Sequence, residues 1–172
     1  MRIKKILRTG IILLIVMCNI GCDQITKVIV REKVDYNERI ELINNHFTLT
    51  KIENSGAFLS IGDSLPLPIK FFLLSLIPLI ALTSGLYFVV TRTNISKPLM
   101  VGICFVIGGG IGNLFDRIIY GSVTDFLHLN LVIFQTGIFN MADVSIMIGM
   151  FIILFYSYVV KNEMGMLQRQ ED

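Results

Sequence analysis

Charge is scarce in this chain. Asp, Glu, Lys and Arg make up 16% of the 172 residues, while 53% are hydrophobic and the mean hydropathy is +0.71. Soluble domains carry roughly a quarter of charged residues, so this composition excludes an ordinary soluble protein and places the chain in a membrane. The net charge of +2 is too small and too scattered for a nucleic-acid partner. Cysteine and histidine are also sparse. Cys18, Cys22 and Cys104 are odd in number and lie in apolar stretches, where thiols behave as small hydrophobes, so no structural disulfide is expected. His46 and His128 stand alone and read as polar loop residues, and no Cys/His spacing suits a metal, so neither metal nor cofactor is expected. No internal repeat or low-complexity segment occurs, and the length suits one domain.

A membrane-crossing helix needs about 20 mostly apolar residues. Four stretches qualify, about 8–30, 67–90, 98–119 and 138–160, and the fold expected is an all-α membrane bundle. Pro68 and Pro98 fall near helix starts, where proline is tolerated. Pro78 lies inside the second span and predicts a kink. Arg2, Lys4, Lys5 and Arg8 precede the first span, Arg92 and Lys97 lie between spans two and three, and Lys161 and Arg169 follow the fourth. The connection 120–137 has neither lysine nor arginine. Cytoplasmic loops concentrate these cations, so both termini are expected in the cytoplasm and that connection outside. The loop 31–66 is then also external despite Arg31, Lys33, Arg39 and Lys51, because long loops weigh little in this rule. Within it, Ile40, Leu42, Phe47 and Leu49 alternate with polar residues around Asn44-Asn45, which predicts a small β-hairpin cradle. Such a hairpin needs support from the membrane surface or the bundle.

The N-terminus admits a second reading. Basic residues, an apolar run and Asn19-Ile20-Gly21-Cys22-Asp23 resemble a lipoprotein signal ending at a lipidated cysteine. Asn19 fits that pattern poorly, and the apolar pattern resumes at Ile25, Val28, Ile29 and Val30, which favours a retained span.

Polar residues inside apolar segments carry the chemistry, because an unpaired one costs several kcal/mol there. Asp23 and Lys27 are four apart on one helical face, which a mutually neutralising pair reaching the interface would also explain. Asn54-Ser55-Gly56-Ala57-Phe58 reads by itself as a turn. In Gly108-Gly109-Gly110-Ile111-Gly112-Asn113-Leu114-Phe115-Asp116-Arg117, Gly108 and Gly112 have the spacing of close helix packing. Packing does not explain Asn113, Asp116 and Arg117; Asn113 and Arg117 share a face and suit holding a peptide carbonyl or a carboxylate. Asp125 and Asp143 end the series, near the outer ends of spans three and four. With the fourth span starting at 138, Asp143 falls about five residues into its helix, roughly 8 Å along the axis. Two carboxylates meeting there would share a proton, one taking a proton from water and the other polarising a scissile carbonyl. A helix N-terminus favours the anion at Asp143 and burial opposes it. The bland reading makes the two aspartates separate caps, or ion partners of Arg117.

Four ordered blocks now resemble the lipoprotein signal peptidase (signal peptidase II) family: Asp23-Gln24-Ile25-Thr26-Lys27, Asn54 to Phe58, Gly109 to Arg117, and Asp125 with Phe139-Asn140-Met141-Ala142-Asp143. They run through nearly the whole chain. The resemblance implies an intramembrane aspartyl endopeptidase of the bacterial inner membrane that cuts diacylglyceryl-modified prolipoproteins just before the lipidated cysteine. Asp125 and Asp143 would be the catalytic pair. Asn54, Gly56, Asn113, Arg117 and Asn140 would position substrate or support the aspartates, with Asp23 and Lys27 as a first-span pair. Membrane lipid and globomycin-type inhibitors are implied partners, and a monomer is expected. Two departures stand out: Ala57-Phe58-Leu59 replaces the usual double alanine, and Ser122 and Thr124 precede Asp125 where aliphatic residues are common. Two other functions remain open at this stage: Ser55 as nucleophile with Lys27 as base, and a small ion-coupled transporter using the aspartates as a cation site.

Overall fold

The computed structural model describes residues 2–36, 38–44, 46–57, 61–131 and 133–171, with side chains described between 3 and 161. The chain order is α1 (Arg2–Lys33), β1 (Arg39–Ile43), β2 (Phe47–Asn54), α2 (Leu67–Thr91), α3 (Lys97–Tyr120), β3 (Val123–Leu129) and α4 (Met141–Glu171). Among the described residues, four helices are long and apolar enough to cross a membrane. Their outer faces expose large apolar side chains such as Leu14, Ile80, Phe151 and Phe155. Contiguous apolar surface of that kind is costly in water and suits lipid contact.

The helices meet on α3, whose glycines let three neighbours approach. A Cβ on Gly108 would come within 2.6 Å of the Asn19 Cβ on α1, and one on Gly112 within 2.5 Å of an Asp23 carboxylate oxygen on the same helix. The Gly108/Gly112 pair thus forms one seam against α1, as the four-residue spacing predicts. Gly102 and Gly109 face α4, and a Cβ on Gly109 would collide with the carbonyl oxygen of Ala142. Gly110 receives Leu82 of α2. The apolar core lies toward the opposite end from the sheet and is built from Ile12, Val16, Val89, Met100, Cys104 and Ile107.

Pro78 acts just upstream of itself. Phe72–Leu76 forms a single π-helical turn, with the Ile77 amide bonding the Phe72 carbonyl. A proline cannot donate to the carbonyl four residues earlier, and a π-bulge accommodates the interruption. At the other end of α2, the Arg8 guanidinium donates to the Arg92 carbonyl at 2.7 Å. That bond satisfies a helix-terminal acceptor and holds the N-terminal end of α1 beside the 92–96 connection.

The expected hairpin exists but is incomplete as an account of the sheet. β1 and β2 pair antiparallel, and β3 adds to β2 in the order β1-β2-β3. The stretch 120–137 is therefore not a plain connection, and Asp125 stands on a strand. Asn44 adopts φ 33°, a left-handed turn conformation open to asparagine; its neighbour Asn45 lies outside the described residues, as do Phe58 and Leu59. Arg31 and Lys33, read as loop cations, belong to the last turn of α1. Val30 and Val34 from that end pack with Phe126 of β3, anchoring the sheet to the bundle.

Candidate active site

The site sits where the sheet meets the N-terminus of α4. That helix begins at Met141, not near 138, so Asp143 lies in its first turn. The cause is a reciprocal cap: the Asn140 side-chain oxygen accepts the Asp143 amide at 3.0 Å, and the Asp143 carboxylate accepts the Asn140 amide at 3.1 Å. Each side chain satisfies an amide that the helix leaves free. The next free amide, on Ala142, donates to Asp23 of α1 at 2.9 Å.

Asn140 also joins the two aspartates. Its Nδ2 donates to Asp125 at 2.6 Å and to the Asn113 side-chain oxygen at 3.1 Å. Asn113 in turn donates to Asp143 at 2.9 Å. The second oxygen of Asp125 accepts Asn54 Nδ2 at 3.0 Å, and the Asn54 oxygen accepts the Gly56 amide at 3.0 Å. A cavity of about 170 Å³ opens on this cluster, lined by Asn54, Asn113, Arg117, Asp125, Ile138 and Asp143. The aspartates are more than separate caps, since amides supplied by three elements hold them around one space. Burial, followed by the nearby charge of Asp143, raises the Asp125 pKa to about 6 against the bonds donated by Asn54 and Asn140. A shift of that kind marks a carboxyl group able to carry a proton near neutral pH.

Arg117 forms no ion pair among the described residues. It donates to the Gly56 carbonyl at 3.0 Å and ties the Asn54–Gly56 turn to α3. Its Nε is buried without a hydrogen-bond partner, although the side chain lines the cavity.

Asp23 and Lys27 do not reach the interface as a neutralising pair; both are fully buried. The Lys27 ammonium contacts Asp23 at 2.8 Å, Asp116 at 2.9 Å and the Asn113 oxygen at 2.9 Å, using all three donors. Arg31 completes the charge balance, 3.0 Å from Asp116. Two anions and two cations thus neutralise one another inside the bundle, and the Lys27 bond to Asn113 connects them to Asp143. Asp116 and Arg31 were missing from the sequence-derived set. The signal for Asp116 is its charge near the outer end of an apolar span; Arg31 gives none, because the apolar run ends before it.

Ser122 and Thr124, the polar departures before Asp125, both donate to Glu53, at 2.6 and 2.8 Å. Arg31 reaches the Thr124 hydroxyl at 2.8 Å. These bonds fix β3 on the side opposite the Asp125 carboxyl. Ser55 is not paired with Lys27. Its hydroxyl bonds the Asp63 carboxylate and accepts from Lys70 at 3.0 Å. Those contacts hold the Asp63 carboxyl below the usual range, with the Ser55 bond contributing most.

Four apolar helices long enough to span a bilayer, gathered around a buried acidic centre beneath a small sheet, make this a multi-pass membrane protein. Residues 14–159 match the family model described as signal peptidase (SPase) II, and the chain belongs to that family. It is 32% identical over 139 residues to a lipoprotein signal peptidase of Clostridium novyi, covering 79% of this chain and 89% of that one. A lipoprotein signal peptidase of Desulforapulum autotrophicum is 36% identical over 146 residues, covering 84% and 88%. Among solved structures, a bacterial membrane enzyme determined by the in meso method superposes with a TM-score of 0.76 at 28% identity, over 90% of both chains.

Proposed function

We propose that this peptidase is an aspartic endopeptidase that removes signal peptides from diacylglyceryl-modified prolipoproteins, cutting before the lipidated cysteine. The single observation that carries the reading is the Asn140 side chain, which bonds Asp125 while sharing a reciprocal cap with Asp143, at the wall of one cavity. The protein acts in the bacterial inner membrane, with both termini cytoplasmic and the sheet outside. The lysine- and arginine-free 120–137 segment supports that orientation.

Asp125, whose pKa is raised to about 6, starts protonated and donates to the scissile carbonyl oxygen. Asp143 takes a proton from water, whose oxygen bonds the carbonyl carbon. The tetrahedral adduct then collapses. Asp143 returns its proton to the leaving nitrogen, Asp125 recovers its own from the hydroxyl, and the C–N bond breaks. Asn140, Asn113 and Asn54 hold the carboxyls in place throughout, so little reorganisation is left for the reaction itself.

The test is incubation of the purified protein with a diacylglyceryl-modified precursor beside the same precursor unlipidated. Cleavage of the lipidated form, at least about tenfold faster, is expected from binding energy contributed by the acyl chains. Equal cleavage of both would remove lipid recognition from the reading. Turnover of neither, with ion uptake dependent on the aspartates, would favour the transporter.

A further inference from the structure

A small cavity of about 120 Å³ adjoins the catalytic one, and the two share Leu74 and Arg117 as walls. Leu67, Lys70, Phe71 and Ser75 of α2 also line it, with Ser55 from the turn after β2. Some of its polar groups are already satisfied. The Lys70 ammonium bonds the Ser55 hydroxyl at 3.0 Å and the Asp63 carbonyl at 2.7 Å, and Ser55 donates to the Asp63 carboxylate. Ser75 and Arg117 Nε are not. Ser75 is buried, yet it makes no hydrogen bond among the described residues. Thr26, Thr91, Ser145 and Ser157 each donate to the carbonyl four residues earlier, as helical hydroxyls can, and Ser75 does not. Arg117 Nε is buried with no partner either. Both Leu74 and Ser75 belong to the π-helical turn Phe72–Leu76, a feature that recurs at functional sites.

Buried donors without a partner are costly, so these two call for an acceptor from outside. The cavity is far smaller than the roughly 300–1,000 Å³ of a whole-ligand site, and it suits a single functional group. Among the described residues no carboxylate lines it, and Arg117 can only donate. The apolar walls suit an acceptor flanked by alkyl chain. A peptide unit fits less well, since it brings an N–H along with its carbonyl. Leu67 and Phe71 are largely exposed on the outer face of α2, so the cavity lies beside surface that suits lipid.

We infer that this cavity holds an ester carbonyl of the substrate's diacylglyceryl group, with the Ser75 hydroxyl and Arg117 Nε as its donors. The inference rests on the peptidase reading above. The lipidated cysteine directly follows the cut bond, so its glycerol esters stay within several bonds of the reacting carbonyl. They need a space next to the catalytic cavity and beside lipid, where the acyl chains can run. The Ser75 cavity has both properties.

The experiment uses the full-length protein in detergent with two lipidated precursors of equal chain length. One carries diacyl esters; the other carries dialkyl ethers, which keep the chains and lack the carbonyls. A hydrogen bond of this kind shifts binding several-fold, so the wild type is expected to show a kcat/KM about tenfold higher for the ester. Ser75→Ala should lower that ratio to about three or less. Ser84→Ala, at an exposed serine of the same helix, should leave it unchanged. Each ratio is read within one variant, so a general loss of folding cancels. A wild-type ratio near one, or a ratio indifferent to Ser75→Ala, overturns the carbonyl subsite and leaves the peptidase reading intact. An equal fall in Ser84→Ala does the same. Failure of the wild type to cut either precursor overturns both.

Discussion

Replacing either Asp125 or Asp143 by Asn should reduce cleavage of a lipidated precursor by about a thousandfold or more, with the protein still inserted and folded. General acid–base catalysis by one positioned side chain contributes about 10²–10⁴, and here each carboxyl serves two proton transfers. The substitutions are close to isosteric, so the cavity keeps its shape. Asn at 143 still offers an oxygen to the Asn140 amide, and Asn at 125 still accepts from one of Asn54 and Asn140. Retention of a normal thermal unfolding profile in detergent beside lost turnover is therefore the expected pair of results; full activity of both variants would end the aspartic mechanism. The pH profile gives an independent check. The Asp125 pKa is raised to about 6, so below that pH the group holds the proton that polarises the carbonyl. As pH rises through about 6 the proton is lost, and kcat/KM should fall about tenfold per pH unit beyond it. Bound substrate excludes water and disfavours the anion further, so the alkaline limb of kcat should lie at higher pH than that of kcat/KM. A basic limb that stays unmoved in a variant of Asp125 with residual activity would assign the titration elsewhere.

The spans were legible because apolar length is a local property, and the cation count around them is local too. Asp125 and Asp143 stood out for a related reason, since a carboxylate beside apolar sequence needs a partner or a use. β3 was hidden because its pairing partner, β2, lies some seventy residues upstream; Asn54 pairs with Val123 and Ile52 with Asp125. Non-local pairing of that kind leaves no periodic trace in a seven-residue strand. α4 starts three residues after the apolar pattern does, because Ile138 and Phe139 carry that pattern outside the helix. The asparagine cap that ends the ambiguity only acts through its bond to Asp143. Asp23 and Lys27 were recognisable as a pair, but not as part of a neutral cluster. That required Asp116 and Arg31, which come from α3 and from a turn of α1 that the sequence assigned to a loop.

The same cluster predicts the largest stability effect of any single substitution considered. In Lys27→Met the chain keeps its packing volume but loses the one cation that touches Asp23, Asp116 and Asn113 together. Asp116 retains Arg31, whereas Asp23 is left with amide donors only, from Ala142 and Gln24. Breaking a buried ion pair by removing one partner costs about 3–5 kcal/mol, because the remaining charge stays out of water without compensation. For a chain of this size that amounts to a fall of about 10 °C in thermal midpoint. The double variant Asp23→Asn with Lys27→Met should recover most of the loss. It removes the stranded charge and still offers the Ala142 amide an oxygen. Turnover should not recover to the same degree, because Asn113 then lacks the ammonium that shares its oxygen with Asn140, and Asn113 is what donates to Asp143. A single variant within about 1 °C of the wild type would show that the buried charges are dispensable for folding. A double variant with full turnover would show that the dyad does not depend on Lys27 for its position.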